Sequence, residues 1–386
     1  MDAASLVDAL REPLDAERVP GAIVGVRHRG TTSLAATGTT APGGDVPLTV
    51  DAVVRLSSNT KPLVAALALV LVADDVLALD EPVDRLLPEL AGHRVLRRLD
   101  APVDPDTGAP APEDTVPAER PLTLEDLLTM RAGFGWTVDE GPCPTVEAAT
   151  ALGLGFGPPD PRGQPEPDAW MARLGRLGFL DQPGRAWRYE LSFAVLGVLL
   201  ARAARRPLGE LLADRVLGPL GMDDTGFVAD ASRLVPAFVR GADGSPQPFD
   251  GVADSAWLRP PAFPDACGGL VGTVADLLRF AWMLLDDGAG LLTPAAVRAM
   301  TTDRLPAEQR RAPAAAAFLD GGGWGHGVGV VASRAGRRYG WAGGLGTLWY
   351  SWPEHDLAAV LATQVLPPAG GVFGAFTRTV EDALTG

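Results

Sequence analysis

Of the 33 basic residues in the chain, 32 are arginine and one, Lys61, is lysine. A desolvated lysine can lose its proton and an arginine effectively cannot, so Lys61 is the candidate base. It sits in Ser57-Ser58-Asn59-Thr60-Lys61-Pro62, ahead of an apolar run from 63 to 72. Proline is tolerated in a helix only in the first turn, so this helix must begin close to Ser58. That start puts the Ser58 hydroxyl at the positive end of the helix dipole and stacks Lys61, three residues on, over the same face. The residues that follow are apolar all round, which makes the helix central and leaves the amine partly desolvated. Desolvation lowers a lysine pKa, and a neutral amine beside a serine hydroxyl is a general base for a nucleophile. Ser57, four residues before Lys61, shares the face, and spacing does not choose between the two serines. The competing structural reading is a serine N-cap with a snorkelling lysine.

Other chemistries have less support. His28, His93, His326 and His355 are scattered without metal-ligand spacing, so no metal and no cofactor is expected. Cys143 and Cys267 supply neither a disulfide framework nor a metal knuckle and read as reduced apolar fillers. No Gly-x-Ser-x-Gly occurs, and Gly153-x-Gly155-x-Gly157 runs into Pro158-Pro159, where no helix can open to receive a pyrophosphate. With 33 basic against 48 acidic residues the net charge is −15, the wrong sign for nucleic acid or an anionic membrane surface. The longest apolar run falls short of the ~20 residues of a membrane span. The N-terminal residues lack the basic, apolar and small-residue pattern that directs secretion, so a cytoplasmic location is expected.

The 386 residues, 47% apolar and 21% charged, allow one large core or two closely packed domains. Residues 22–26 and 32–36 read as early strands joined near 28–30, and strand patterns return at 327–332, 345–352 and 357–362 before a helix near 373–384. The middle is mostly helical. This predicts an α+β chain, with an antiparallel sheet built from both chain ends (1–75 and 265–386) and a mostly helical domain (76–264) inserted between them. The active site is then expected in the cleft between the two. Pro-rich segments at 101–121 and 155–167 cannot form regular ladders and read as surface linkers or as a rim over the cleft. Trp136, Trp170 and Trp324 are candidate pocket walls.

Ser58-Asn59-Thr60-Lys61-Pro62 before an apolar helix resembles the first motif of the serine β-lactamase and penicillin-binding-protein superfamily, in the class C branch that includes the family VIII carboxylesterases. In that pattern the nucleophile falls on Ser58. The resemblance continues from about residue 21 to about 376, through 77–83, 87–90, 122–133, 183–197, 218–227 and 268–277. It implies a β-lactamase-like fold and a second catalytic motif at Tyr189, whose phenolic oxygen shares a proton with Lys61 and passes it to the leaving group. A phenol beside a cation and a helix is easier to ionise. Leu191 stands where the family usually has asparagine, and the sole asparagine of the chain is Asn59. Ser192 is either a polar substitute in the substrate pocket or a buried helical serine. The third motif corresponds to 339–346, where Trp341 replaces the cationic residue of β-lactamases and removes the charge that would hold a β-lactam carboxylate. There Gly343 lets the backbone approach substrate, and the N–H groups of Gly344 and Ser58 would form the oxyanion hole.

The resulting expectation is a serine hydrolase that cleaves small-molecule carboxylic esters through a Ser58 acyl-enzyme, with little or no β-lactamase activity. An acyltransferase of a biosynthetic pathway and a peptidase acting on D-amino acids are the catalytic alternatives on the same scaffold. The non-catalytic one is a binder of β-lactams or cell-wall peptides.

Overall fold

The computed structural model describes every residue of the chain except Phe156. A seven-stranded antiparallel sheet is assembled from both ends of the sequence. The N-terminal part supplies β1 (Gly21–His28) and β2 (Thr31–Gly38). The C-terminal part supplies β3 (Gly323–Trp324), β4 (Gly329–Ser333), β5 (Gly336–Gly343), β6 (Thr347–Trp352) and β7 (Leu357–Ala362), in the order β2-β1-β7-β6-β5-β4-β3. β1 joins the two ends by pairing with β7 from Ile23 opposite Ala362 to His28 opposite Leu357.

Both faces of the sheet are covered, and the two-residue period of the strands sorts their side chains between them. Ala22, Val24 and Val26 of β1, with Leu357, Ala359 and Leu361 of β7, pack under α1 (Ala3–Ala16) and the C-terminal helix Gly370–Thr385. Ile23, Ala358, Val360 and Ala362 face the other way into the larger core, which also takes in α2 (Thr60–Ala73), α3 (Leu191–Ala204) and α4 (Val274–Leu285). Every residue of α2 from Thr60 to Leu71 is buried, so the helix runs through the middle of this core, as its uniformly apolar sequence predicts.

Turn chemistry moves several expected boundaries. β4 begins at Gly329 because Gly327 takes a positive φ of 77°, and β6 begins at Thr347 because Gly346, at φ 87°, closes the turn from β5. The middle of the chain is less purely helical than expected. Ala237–Arg240 and Pro246–Asp250 form a hairpin, extended by Val365–Leu366 into a three-stranded sheet. The first Pro-rich segment does form a ladder: Thr115–Pro117 pairs with Arg94–Leu96, with Pro117 in the last strand position. Phe156, in the second such segment, lies outside the described residues. No helix among the described residues is long and apolar enough to cross a membrane.

Candidate active site

The turn that carries Ser57 and Ser58 is held from three sides. Ser57–Asn59 form a short 3-10 turn that leads directly into α2. Leu56 N–H donates to Leu270 O at 2.9 Å, Thr60 Oγ1 accepts from Leu270 N–H at 3.2 Å, and Asn59 donates its amide to Thr347 Oγ1 at 2.9 Å. Just upstream, the buried Arg55 guanidinium pairs with Asp250 and donates to Val235 O at 2.6 Å. Ser57 has φ 52°, a left-handed conformation that a non-glycine residue holds only when its surroundings enforce it.

This turn brings Ser58 Oγ to 3.0 Å from Lys61 Nζ. Ser58 retains 9% of its surface and Lys61 none, so the hydroxyl reaches the cavity while the amine stays behind it. Of the two serines that the spacing left open, Ser58 is the one to which Lys61 donates. Ser57 Oγ instead lies toward Gly344, 3.6 Å from where a Cβ on that glycine would stand.

The amine has two further partners. Nζ donates to the Cys267 carbonyl at 2.7 Å and to Glu190 Oε2 at 3.0 Å. Three acceptors around one nitrogen match the three N–H bonds of an ammonium. Burial pulls the lysine pKa down, but the Glu190 carboxylate, with Tyr189 and Cys267, outweighs it and raises the pKa far above the ordinary value. The sequence-based expectation of a lysine neutralised by desolvation is therefore corrected. The resting group is a cation, because the carboxylate of Glu190, half-buried at the cavity wall and not included in that argument, stands against it.

Glu190 reaches this position through an unusual backbone. It is the residue before α3, with φ 95° and ψ −83°, and its carbonyl accepts from Cys267 Sγ at 3.1 Å. Burial raises its carboxyl pKa, opposed by the charge of Lys61. The sequence reading passed over Glu190 while looking for an amide at 191 or 192. Leu191 is buried in the core, and Ser192 is wholly buried on α3, does not line the cavity, and leaves its Oγ without a protein partner. Cys267 is a free, buried thiol, as expected, and its backbone carbonyl holds Lys61.

Tyr189 closes the other side of Ser58. Its hydroxyl accepts from Trp341 Nε1 at 2.8 Å, and its ring lies 4.6 Å from Lys61 Nζ and 4.4 Å from the Phe318 ring. Burial raises the phenol pKa, and the Lys61 charge with hydrogen bonds to Ser58 and Trp341 recovers only part of that rise. The expected ease of ionisation is thus outweighed by desolvation. Gly343, at the end of β5, is required: a Cβ there would lie 2.5 Å from Leu56 O and 2.2 Å from Thr347 Oγ1. Gly344 follows it at the cavity wall.

The cavity above Ser58 measures about 440 Å³. Its walls include Trp136, Tyr189, Phe318, Trp341 and Tyr350, its rim includes Pro158 and Pro159 of the second Pro-rich segment, and no arginine, lysine or histidine lines it among the described residues. Of the other candidate walls, Trp324 packs behind Trp341 with ring centroids 4.7 Å apart, and Trp170 is buried against Phe263. A second cavity of about 470 Å³, beside α3 and lined by Arg202, Arg205 and Arg206, holds no nucleophile. No group of histidine, cysteine, aspartate and glutamate suited to a metal is found among the described residues.

The Beta-lactamase family model matches residues 6–383. The chain belongs to this family. Protein Rv1367c of Mycobacterium tuberculosis is 36% identical over 341 residues, covering 83% of this chain and 80% of that protein. Esterase EstB of Burkholderia gladioli is 32% identical over 302 residues, covering 72% and 70%. Among solved structures, EstCE1, described as a hydrolase with promiscuous acyltransferase activity, aligns over 100% of this chain and 98% of its own with a TM-score of 0.80 at 24% identity. Simvastatin synthase (LovD) of Aspergillus terreus aligns over 100% and 98% with a TM-score of 0.78 at 23% identity. These likenesses establish the fold of this beta-lactamase-family chain.

Proposed function

We propose that this beta-lactamase-family chain is a serine hydrolase of small carboxylic esters. The observation that carries this reading is the 3.0 Å contact between Lys61 Nζ and Ser58 Oγ at the floor of an open aromatic cavity. Ser58 attacks the ester carbonyl, Lys61 and Tyr189 move the proton from Ser58 to the leaving alcohol, and water hydrolyses the acyl-serine. The N–H groups of Ser58 and Gly344 stabilise the oxyanion. Esterase EstB, among the curated relatives, supports the ester class. The lining without a cation gives a β-lactam carboxylate no partner, and Trp341, at the cationic position of β-lactamases, spends its N–H on Tyr189.

A second reading, acyl transfer to an alcohol, draws on the same apolar walls, which disfavour water as the acceptor, and on relatives described as acyltransferases. The test is turnover of p-nitrophenyl butyrate with and without added alcohol. Activity lost in Ser58→Ala and kept in Ser57→Ala supports the acyl-enzyme, and activity kept in Ser58→Ala removes it. Butyryl ester formed in preference to free acid would favour transfer.

A further inference from the structure

Lys61 poses a problem for any mechanism that uses it as a base. Its nitrogen is wholly buried and donates to three oxygens, so as it stands it has no lone pair to offer Ser58. One of its own protons must leave first, and solvent does not reach it. Of the three acceptors, Ser58 is the nucleophile and the Cys267 carbonyl cannot keep a proton at any ordinary pH. Glu190 Oε2, 3.0 Å away, can.

We propose that Glu190 receives the proton Lys61 must release before Ser58 can be deprotonated, so that this carboxylate sets the acidic edge of the pH range for acylation. The proposal rests on the Ser58 acyl-enzyme reading above. Glu190 acts through Lys61 and is a positioning residue for the proton.

In the resting pair Lys61 is an ammonium and Glu190 a carboxylate. One N–H proton passes from Nζ to Oε2, leaving a neutral amine and a neutral acid. The amine lone pair takes the Oγ–H proton as Oγ bonds to the ester carbon and the carbonyl π pair moves onto oxygen. When that oxyanion collapses, the leaving alkoxide takes the Tyr189 proton. Tyr189 regains one from Lys61, and Lys61 from Glu190. No proton enters or leaves the site, so reaching the neutral amine does not depend on solution pH. Low dielectric favours this transfer, because burying two neutral groups costs less than burying two ions. Burial also raises the proton affinity of the Glu190 carboxyl, the direction an acceptor needs.

The titratable groups facing the pair are Tyr189 beside it and Asp265 and Cys267 from the segment ahead of Val271–Gly272. Asp265 accepts from Cys267 N–H at 2.8 Å. Nζ donates instead to Ser58 Oγ, Glu190 Oε2 and the Cys267 backbone carbonyl. Glu190 itself holds φ 95° and ψ −83°, a backbone conformation that a non-glycine residue keeps only where its surroundings demand it.

The test is the acylation rate of Ser58 by p-nitrophenyl butyrate, read as nitrophenolate release and as intact mass, from about pH 5 to about pH 10. It uses the full chain with Glu190 intact, Glu190→Gln and Glu190→Asp. In the parent the acidic edge is the protonation of Glu190. In Glu190→Gln the neutral amine is reached only by net loss of a proton from the site, so the edge should move to higher pH by at least about one unit, with acylation at neutral pH down about tenfold or more. Glu190→Asp should move the edge back toward the parent. An edge that stays in place or moves to lower pH in Glu190→Gln overturns the proposal, because the carboxylate then only clamps the cation. If that variant does not fold, Glu190→Ala takes its place with the same expectation, and an edge that does not rise in Glu190→Ala overturns the proposal. A parent enzyme that leaves no adduct on Ser58 refutes the hydrolase reading itself, whereas an adduct without the shift refutes only the role of Glu190.

Discussion

Trp341 donates its indole N–H to the Tyr189 hydroxyl at 2.8 Å, so an aromatic residue of β5 orients the phenol beside Ser58. If Trp341 stands at the cationic position of β-lactamases, as proposed, the exchange that removes the cation supplies this hydrogen bond in its place. It is directed at the catalytic tyrosine of the proposed mechanism rather than at substrate.

Trp341→Phe keeps an aromatic wall and deletes that donor. A lost hydrogen bond of this kind is worth about 1 kcal/mol, so kcat should fall roughly fivefold to tenfold with little change in KM. Because the bond lowers the phenol pKa, its removal should raise that pKa further and carry the alkaline edge of the kcat/KM profile to higher pH. A pH–rate series on an aryl ester checks both, and an alkaline edge that moves down would break the link between the two residues.

Lys61→Arg retains the positive charge and abolishes proton exchange, since a guanidinium does not deprotonate in a protein. Activity should drop by about 10²–10⁴-fold, the usual worth of a general base. Near-parent turnover, with folding confirmed by circular dichroism, would exclude Lys61 as the group that receives the Ser58 proton.

How much of this was legible in the sequence depended on the range of the interaction. Residues with strong local signals were readable. Pro62 marked the start of the helix, and the apolar runs at 22–26 and 357–362 marked two strands of the sheet. That Lys61, the one lysine in 386 residues, faces a serine was suggested by helical spacing, which left Ser57 and Ser58 open. Glu190 was not readable, because its approach to Lys61 spans 129 positions and depends on a backbone angle that glutamate rarely adopts. The two pKa expectations failed for related reasons. Desolvation was counted for Lys61 without the carboxylate it faces, and the cation was counted for Tyr189 without the burial that outweighs it. The hairpin at Ala237–Arg240 and Pro246–Asp250 was also missed, because Pro246 and Pro248 hide its strand pattern.

Gly343 tests the geometry of the oxyanion side. An alanine Cβ there would overlap Leu56 O and Thr347 Oγ1, so β5 must shift away from the nucleophile turn, taking Gly344 with it. Misplacing one oxyanion donor costs about 10²–10³-fold in rate. Gly343→Ala should therefore acylate at least about 10²-fold more slowly. Full activity would place the second donor elsewhere.

Below α2, Glu125 offers a stability prediction that is independent of catalysis. Its carboxylate faces His326 Nε2 at 2.7 Å and Arg304 Nε at 2.9 Å. Burial raises its pKa, but those two partners dominate and hold it at about 2 against an ordinary 4.5. A carboxyl whose pKa is lowered on folding contributes stability that is complete above the unfolded pKa and is lost as pH falls through the folded one. The contribution should therefore decay between about pH 5 and about pH 2. Glu125→Gln removes the charge, so its unfolding free energy in urea should be lower at pH 7 and should fall less steeply with acid over that window. Parallel pH dependences for the parent and the variant would mean that the contacts of Glu125 with His326 and Arg304 contribute nothing measurable to folding.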